Sequence, residues 1–572
     1  MKYLIKKIYL VLFLVIFLPF STESFASDNR EVYSKNDISN YFSGIISAEQ
    51  ALNNNSFRFL NKAQSLKNKH TNFNVQFIRA MILLEKFKQA FVFAKNIWKE
   101  DVFFFEADLL LGIQAFVNED YINAEKHFNR ISKISEYDLL LEDLLGKILI
   151  VWTKASQNKK EDSFQSINNI PEHFGNLKKI QNSFLHCYFD TSKTQAAFED
   201  LVNSEDTNFS RYNFFLANHL LFKKKKLEAK KRIDSARKIH NSNLLIKQVQ
   251  NFLANNKSAK IKNFFNCKNS KDILAEIFYV IANLYSSQED YQMSNFYLKI
   301  SLFLNNKFVT NKTLLAENLF YEKKYEQSKK IYNSLKLIGS AYSWYASISV
   351  SIILSNIGNI ENAIFILKQE FDLLKNPNLE HYFELANFYK DSEYYDESIK
   401  FYTMALENIE QDHILIPKIL YRRATSYERL GNWKQSEIDL KKSLKILPDQ
   451  PEVLNYLAYG WIEKNKNINQ TLEMLKKATS IKKNDGYIID SLGWAYYVSE
   501  NYIEAEKYLQ RAVEILPLDP IINDHYADTL WMLNKDIQAR YFWNHVLNLS
   551  TTKQELKDTL SKKIIFGINK NL

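Results

Sequence analysis

The stretch GYIIDSLGWAYYVSENYIEAEKYLQRAVEILPLD, residues 486–519, decides how the rest of the chain is read. Leu492 and Gly493 are adjacent, Tyr496 follows one turn later, Ala505 comes after a polar turn, Leu509 and Ala512 follow, and Pro517 closes. Small residues where two helices cross, with larger apolar residues around them, describe an antiparallel pair in close contact. Glycine costs a helix interior roughly 1 kcal/mol relative to alanine, so Gly493 implies a neighbour that needs the space. The spacing predicts a helix–turn–helix unit of 34 residues.

The same register recurs outward from this stretch. The unit before it carries Leu457, Ala458, Trp461, Thr471, Leu475 and Ala478, with one additional residue in its turn, and the unit after it carries Tyr526, Ala527, Leu530, Ala539 and Trp543. Pro448 with Pro451, and Pro517 with Pro520, mark equivalent boundaries, because proline ends one helix and is tolerated in the first turn of the next. Upstream the pattern returns around Ala424, Leu385–Ala386, Leu315–Ala316 and Ile281–Ala282, with a looser unit at Leu354, Ala363 and Leu367. Residues 255–274 are polar, basic and out of register, and read as a linker or bend. Before them the pattern is degenerate, with its clearest unit at Leu111, Gly112, Tyr121, Ala124 and Phe128, where Gly112 corresponds to Gly493 and Phe128 to Leu509. The aromatic residues Tyr121, Tyr291, Tyr325, Tyr395, Trp433 and Tyr502 share one motif position and are expected in the core.

Composition supports helices throughout. The chain of 572 residues is too long for one core, and its 11 Gly and 8 Pro are too few for a strand-rich fold. A hydrophobic fraction of 46% excludes extensive disorder. The expected organisation is a signal peptide at 1–26, a polar leader at 27–40, a degenerate array at 41–254, the linker at 255–274, a regular array at 275–553 and a capping helix or tail at 554–572. Lys2, Lys6 and Lys7 precede an apolar run at 8–20, and Ser24 and Ala26 supply small residues for cleavage. This is the layout of a secretory signal cut near Ala26, the alternative being an uncleaved anchor. Removing its three Lys and one Glu lowers the formal charge from +10 to +8. Cys187 and Cys267 stand 80 residues apart. An oxidising compartment would allow a disulfide, but free or buried thiols are expected ahead of it, because residues two repeats apart in an extended array rarely come within bonding range.

These units resemble tetratricopeptide repeats, over about twelve segments within residues 41–550 and with a specific motif from Ala275 onward. A secreted chain containing LNYLAYGWIEKNKN (454–467), DGYIIDSLGWAYY (485–497) and DPIINDHYADTLW (519–531) is similar to bacterial envelope proteins of that family. The resemblance implies an all-α fold, an α-solenoid in which helix pairs form a right-handed superhelix. It also implies a concave face, lined by the first helix of each pair, that binds peptides or protein partners. Some envelope relatives are lipoproteins, but no Cys stands near the cleavage site here.

Catalytic constellations are missing from the sequence: there is no phosphate-binding glycine loop, no His-Glu-x-x-His, no G-x-S-x-G elbow and no Cys-x-x-Cys. No enzyme activity, cofactor, metal or small-molecule substrate is expected. A pI near 9.0 invites nucleic acid, but the basic residues form no stripe with interleaved aromatics and a secretory signal leads elsewhere. Peripheral contact with an anionic membrane remains compatible.

Binding chemistry is placed on the inner face of the first helices. Asn283, Asn387, Tyr459, Trp494 and Asp528 each follow the small residue of a helix crossing, Asp490 and Asp524 stand one turn earlier, and Tyr497 one turn beyond Trp494. Asparagine offers both donors and an acceptor to an extended backbone, aromatics supply area, and Asp524 with Asp528 share one face at i,i+4. The competing reading is that Asn is simply common here and the aromatics pack between helices. Lys418, Arg422 and Arg429 cluster on one first helix without the matched Asn that a carboxylate clamp needs. The sequence points to a non-catalytic protein-binding scaffold or adaptor of the envelope. Alternatives are a structural part of an envelope-biogenesis or secretion complex, an adaptor presenting substrates to an envelope protease, or an enzyme.

Overall fold

The computed structural model describes residues 33–67, 70–132, 140–203, 210–239, 243–410, 412–464 and 466–568. The expected signal at 1–26 and the first part of the leader lie outside them; the end of the leader enters the helix Lys35–Glu49, capped by the Ser34 hydroxyl. Among the described residues there are thirty-one α-helices, three short 3₁₀ turns and no strand. None of these helices is long and apolar enough to cross a membrane.

Residues 486–519 form the helix pair Gly486–Val498 and Tyr502–Ile515. Asp485 and Asn501 cap the two helices through their side chains. A Cβ on Gly493 would lie 2.6 Å from Leu509 Cγ and 3.1 Å from the Leu509 backbone nitrogen, so the crossing excludes any side chain. On Gly112 it would lie 2.4 Å from the Phe128 ring, the same contact in the equivalent pair. The turn between the helices is also shared. Asn501 N–H donates to Tyr496 O at 2.9 Å with Glu500 left-handed at φ 61°, and Asp120 N–H donates to Ala115 O at 2.9 Å with Glu119 at φ 64°. This is the helix-ending turn in which a left-handed residue satisfies the last carbonyls. The aromatic residue after it is half-buried rather than in the core at all six expected positions. As the first residue of the second helix it lies against the end of the first, as Tyr502 does on Tyr497 at 5.5 Å, and its outer edge meets water.

The chain divides into two compact units: one takes the portion up to Arg232 with Ser258–Asn311, the other takes Ile233–Lys257 with the portion from Lys312. In the first, the later segment folds back onto earlier helices. Phe303 stacks on Phe87 at 4.4 Å, and Lys299 pairs with Glu85 at 2.6 Å. Arg211 pairs with the buried Glu276 and donates to Thr310 Oγ1 at 3.0 Å. Asp108, fully buried, gathers Arg130 at 3.0 Å, His127 at 2.8 Å and Trp98 Nε1 at 2.8 Å. Residues 255–274 hold the short helix Ser258–Lys262 and the buried Phe265 and Cys267.

The expectation of free thiols is corrected here. Cys187 and Cys267 form a disulfide with Cα atoms 5.9 Å apart. The distance argument assumed an extended array, whereas this unit reverses and brings the loop carrying Cys267 onto the helix Gly175–Tyr188.

In the second unit, the helix Leu244–Ala254 docks on the start of the helix Ser340–Asn356, where Gln248 Oε1 accepts from Ala341 N–H at 3.0 Å. Helix pairs then follow one another to the final helix Gln554–Phe566.

Candidate functional site

In the second unit, the helices Ser340–Asn356 and Leu379–Asp391 and the part of Val309–Tyr321 from Lys312 on line a groove of about 1120 Å³. Its apolar surface includes Ile348, Ile352, Phe320 and Phe388, and its carboxylates are Glu317, Glu380, Glu384 and Asp391. Glu380 is already satisfied by Arg237 at 2.6 Å and by Lys247. Burial raises its pKa, but those two cations outweigh burial and hold it below the usual carboxylate range.

Glu317 and Glu384 differ. The Glu317 carboxylate accepts from the Tyr345 hydroxyl and the Glu384 carboxylate from Trp344 Nε1, and neither makes an ion pair among the described residues. Burial raises both carboxyls above their ordinary value; the hydrogen bond from Tyr345 only partly opposes it at Glu317, and at Glu384 the hydrogen bond from Trp344 and the nearby charges of Lys247 and Arg237 do not cancel it. Tyr345 is pushed up in turn by burial and by Glu317. Asn387 lies in the same groove, where its Oδ1 accepts from the Tyr402 hydroxyl at 2.7 Å.

A second cluster joins the last repeats. Trp494 is stacked between Tyr497 and His525, with ring centroids at 4.4 and 4.0 Å. His525 Nδ1 lies 3.0 Å from Asp490 Oδ1. Burial pulls the imidazole down, but Asp490, with Asp524 and Asp528 nearby, carries its pKa above the ordinary value. Lys563, from the final helix, reaches both oxygens of Asp524 at 2.8 and 2.9 Å and both of Asp528 at 2.8 Å. Trp543 Nε1 also donates to Asp528 at 2.9 Å.

No family model matches the chain. A TPR repeat-containing protein of Pseudomonas aeruginosa, PA4667, is 30% identical over 99 residues, which are 17% of this chain and 17% of that protein. The helix pairs have the tetratricopeptide type of fold, and over those 99 residues the chain is similar to a protein with such repeats. Solved structures with likeness in fold include a tetratricopeptide repeat protein from Parabacteroides merdae, 22% identical, covering 39% of this chain and 85% of that one with a TM-score of 0.33. Yeast Tom70 is 16% identical, covering 80% and 94% with a TM-score of 0.35.

Within this tetratricopeptide array the structure sorts the eight residues singled out from the sequence. Asp490, Trp494, Tyr497, Asp524 and Asp528 come together, and all five are engaged within the chain. Asn283 is exposed on the helix Ser270–Ser287 of the first unit. Tyr459 is half-buried, and burial with Glu463 and Asp490 nearby pushes its hydroxyl up to about 12. Only Asn387 of the eight lines the groove. Glu317 follows Ala316 as Asn387 follows Ala386, so the register that selected Asn387 also points to Glu317. Glu384 stands one turn before Asn387 on the same helix. Trp344 and Tyr345 belong to the looser unit, where the register rests on Leu354, Ala363 and Leu367 alone and reaches neither of them.

Proposed function

We propose that this chain is a non-catalytic scaffold of the cell envelope that holds an extended segment of a protein partner in the 312–391 groove. A basic side chain of the partner lies against Glu317 and Glu384, its methylenes on the apolar surface of Phe320, Ile348 and Ile352. The observation that carries this reading is the pair of half-buried carboxylates in one open groove, each raised by burial and neither paired with a cation. A half-buried carboxylate without an ion pair is costly, and a lysine or arginine head with an apolar stem supplies the direct ion pair that Lys247 of the lining, engaged by Glu380, does not make with Glu317 or Glu384. Support for the compartment comes from the signal-like run at 8–20 and from the Cys187–Cys267 disulfide, a bond that persists in oxidising compartments.

The test is calorimetric titration with synthetic ten-residue peptides that differ only in carrying a central Lys, Arg, Gln or Glu. The Lys and Arg peptides are expected to bind, and the variant E317Q/E384Q to weaken them by about tenfold or more, the worth of one charge-assisted contact, without a lower melting temperature. Because both carboxyls are raised, affinity for the basic peptides should fall as the pH is lowered toward the upper carboxylate range. Equal binding of all four peptides, or basic-peptide binding untouched by E317Q/E384Q, would overturn the reading.

A further inference from the structure

The disulfide of the first unit has a third partner. His219 Nδ1 lies 3.5 Å from Cys187 Sγ, and the donor atoms of Cys187, His219 and Cys267 all fall within 4.8 Å of one another. They come from three separate segments: the last turn of Gly175–Tyr188, the helix Tyr212–Phe222 and the loop before Ser270–Ser287. Their exposures of 1%, 9% and 7% place them just under the surface.

Those three segments are fastened to one another without the disulfide. On the inner side, Phe184, Phe215 and Phe265 form a closed trio with centroids 5.0, 4.7 and 5.6 Å apart. Each ring comes from the same segment as one donor and stands two to four residues before it. On the outer side, Asp190 receives Lys223 at 2.6 Å and Lys268 at 3.4 Å, again one group from each segment. Asn218, beside His219, donates to Ile261 O at 3.2 Å. Opening the sulfur–sulfur bond therefore leaves three donors held over a rigid aromatic floor.

We propose that reduction of Cys187–Cys267 turns this place into a Cys2His site for one thiophilic divalent cation of the zinc class. The reductant is a dithiol. It transfers two electrons and two protons to the protein disulfide and closes to its own disulfide, leaving Cys187 and Cys267 as thiols. The cation then binds both sulfurs and His219 Nδ1, releasing the two thiol protons. Metal–sulfur bonds of about 2.3 Å and metal–nitrogen bonds of about 2.0–2.1 Å at a tetrahedral angle set the sulfur–nitrogen separation near 3.5 Å, which is the separation already present between Cys187 and His219. Two sulfurs in such a site stand roughly 3.8 Å apart, and Cys267, on a loop rather than a helix, supplies that adjustment. Two thiolates and an imidazole select zinc-like ions over hard cations, with water completing the fourth position. The oxidised protein lacks two of the three ligands, so the site is governed by thiol redox state.

The experiment uses the full chain, reduced with dithiothreitol, freed of reductant under argon and titrated with Co²⁺ and then Zn²⁺, beside the oxidised chain. Expected are one equivalent of Co²⁺ in the reduced chain, with sulfur-to-cobalt charge-transfer bands and intense tetrahedral d–d bands that Zn²⁺ abolishes, and neither in the oxidised chain or in C187S/C267S. H219Q should keep the charge-transfer bands, change the d–d envelope and weaken Zn²⁺ by at least about tenfold. Circular dichroism follows folding throughout, and helicity lost on reduction but regained with Zn²⁺ would also support the site. Spectra without thiolate bands in the reduced chain, equal binding by the oxidised chain, an H219Q spectrum and affinity like the parent's, or helicity lost and not regained would overturn it.

Discussion

In the unit that contains Gly493, helix pairs follow one another and Gly493 meets the second helix of its own pair; in the unit that contains Cys187, the chain reverses and residues far apart in sequence meet. Leu509 against Gly493 is a local contact. Arg211 against Glu276, Phe87 against Phe303 and Cys187 against Cys267 are not. The difference teaches that where the repeat pattern decays, nearest-neighbour packing no longer suffices, and buried ion pairs, phenylalanine contacts and a covalent bond hold the helices instead. The two units should therefore respond to different injuries.

The largest effect is expected at Glu276. Replacing it by Ala leaves Arg211 buried without its carboxylate, and losing one partner of a buried pair costs about 3–5 kcal/mol. Hydrogen exchange should show protection lost through the first unit and kept from Lys312 onward. Loss spread evenly over both would erase the contrast. C187S/C267S comes next, at about 2–4 kcal/mol for removing a cross-link of this kind, again confined to the first unit. Gly493→Leu reverses the assignment. Its side chain meets the Leu509 backbone nitrogen, which cannot rotate away, so about 1–3 kcal/mol of overpacking should fall on the second unit alone, read from its denaturation midpoint.

That split also explains what could be read beforehand. The crossings were legible because Gly112 with Phe128 and Gly493 with Leu509 obey one spacing in sequence and one contact in space. The groove was legible in part, through Asn387 and the unused register position of Glu317. Trp344 and Tyr345 were not, because Ser340–Asn356 is apolar or small nearly all the way round, which leaves no periodic face from which to infer an inner side. The disulfide was hidden because spacing along the chain carries no information about where the chain reverses. Lys563 was hidden for a related reason: it meets Asp524 and Asp528 across 39 and 35 residues, and no repeat rule predicts how a capping helix will place its charges. Two carboxylates that looked available to a basic ligand are held by a lysine of the same chain.

The smallest effect sharpens the contrast most, because it adds a second charge cluster, after that of Glu380 with Arg237 and Lys247, to the unit whose repeats pack mainly on their neighbours. Burial lowers the pKa of Lys563, but Asp528 and Asp524 more than reverse this, so its folded value lies above the ordinary one. Such a raised base contributes its stability in full below its unfolded pKa and loses it only as the pH rises through the folded one; at neutral pH the contribution is complete. Asp528 is raised by burial and by Asp524 beside it, with Lys563 opposing. In Lys563→Met that opposition is gone, the two carboxylates face each other unpaired, and the deficit should be greatest at neutral pH and shrink as acid protonates the pair. A terminal helix can lose no more than its own docking energy, which places the cost at about 1–2 kcal/mol, below that of a pair at the centre of a core. Amides of Gln554–Phe566 should therefore exchange faster at pH 7 than in the parent chain, with a smaller difference at pH 5, while Gly486–Val498 keeps its protection. If that helix opened as well, the second unit would depend on its charges as much as the first does on Arg211 and Glu276, and local packing would no longer be what distinguishes it.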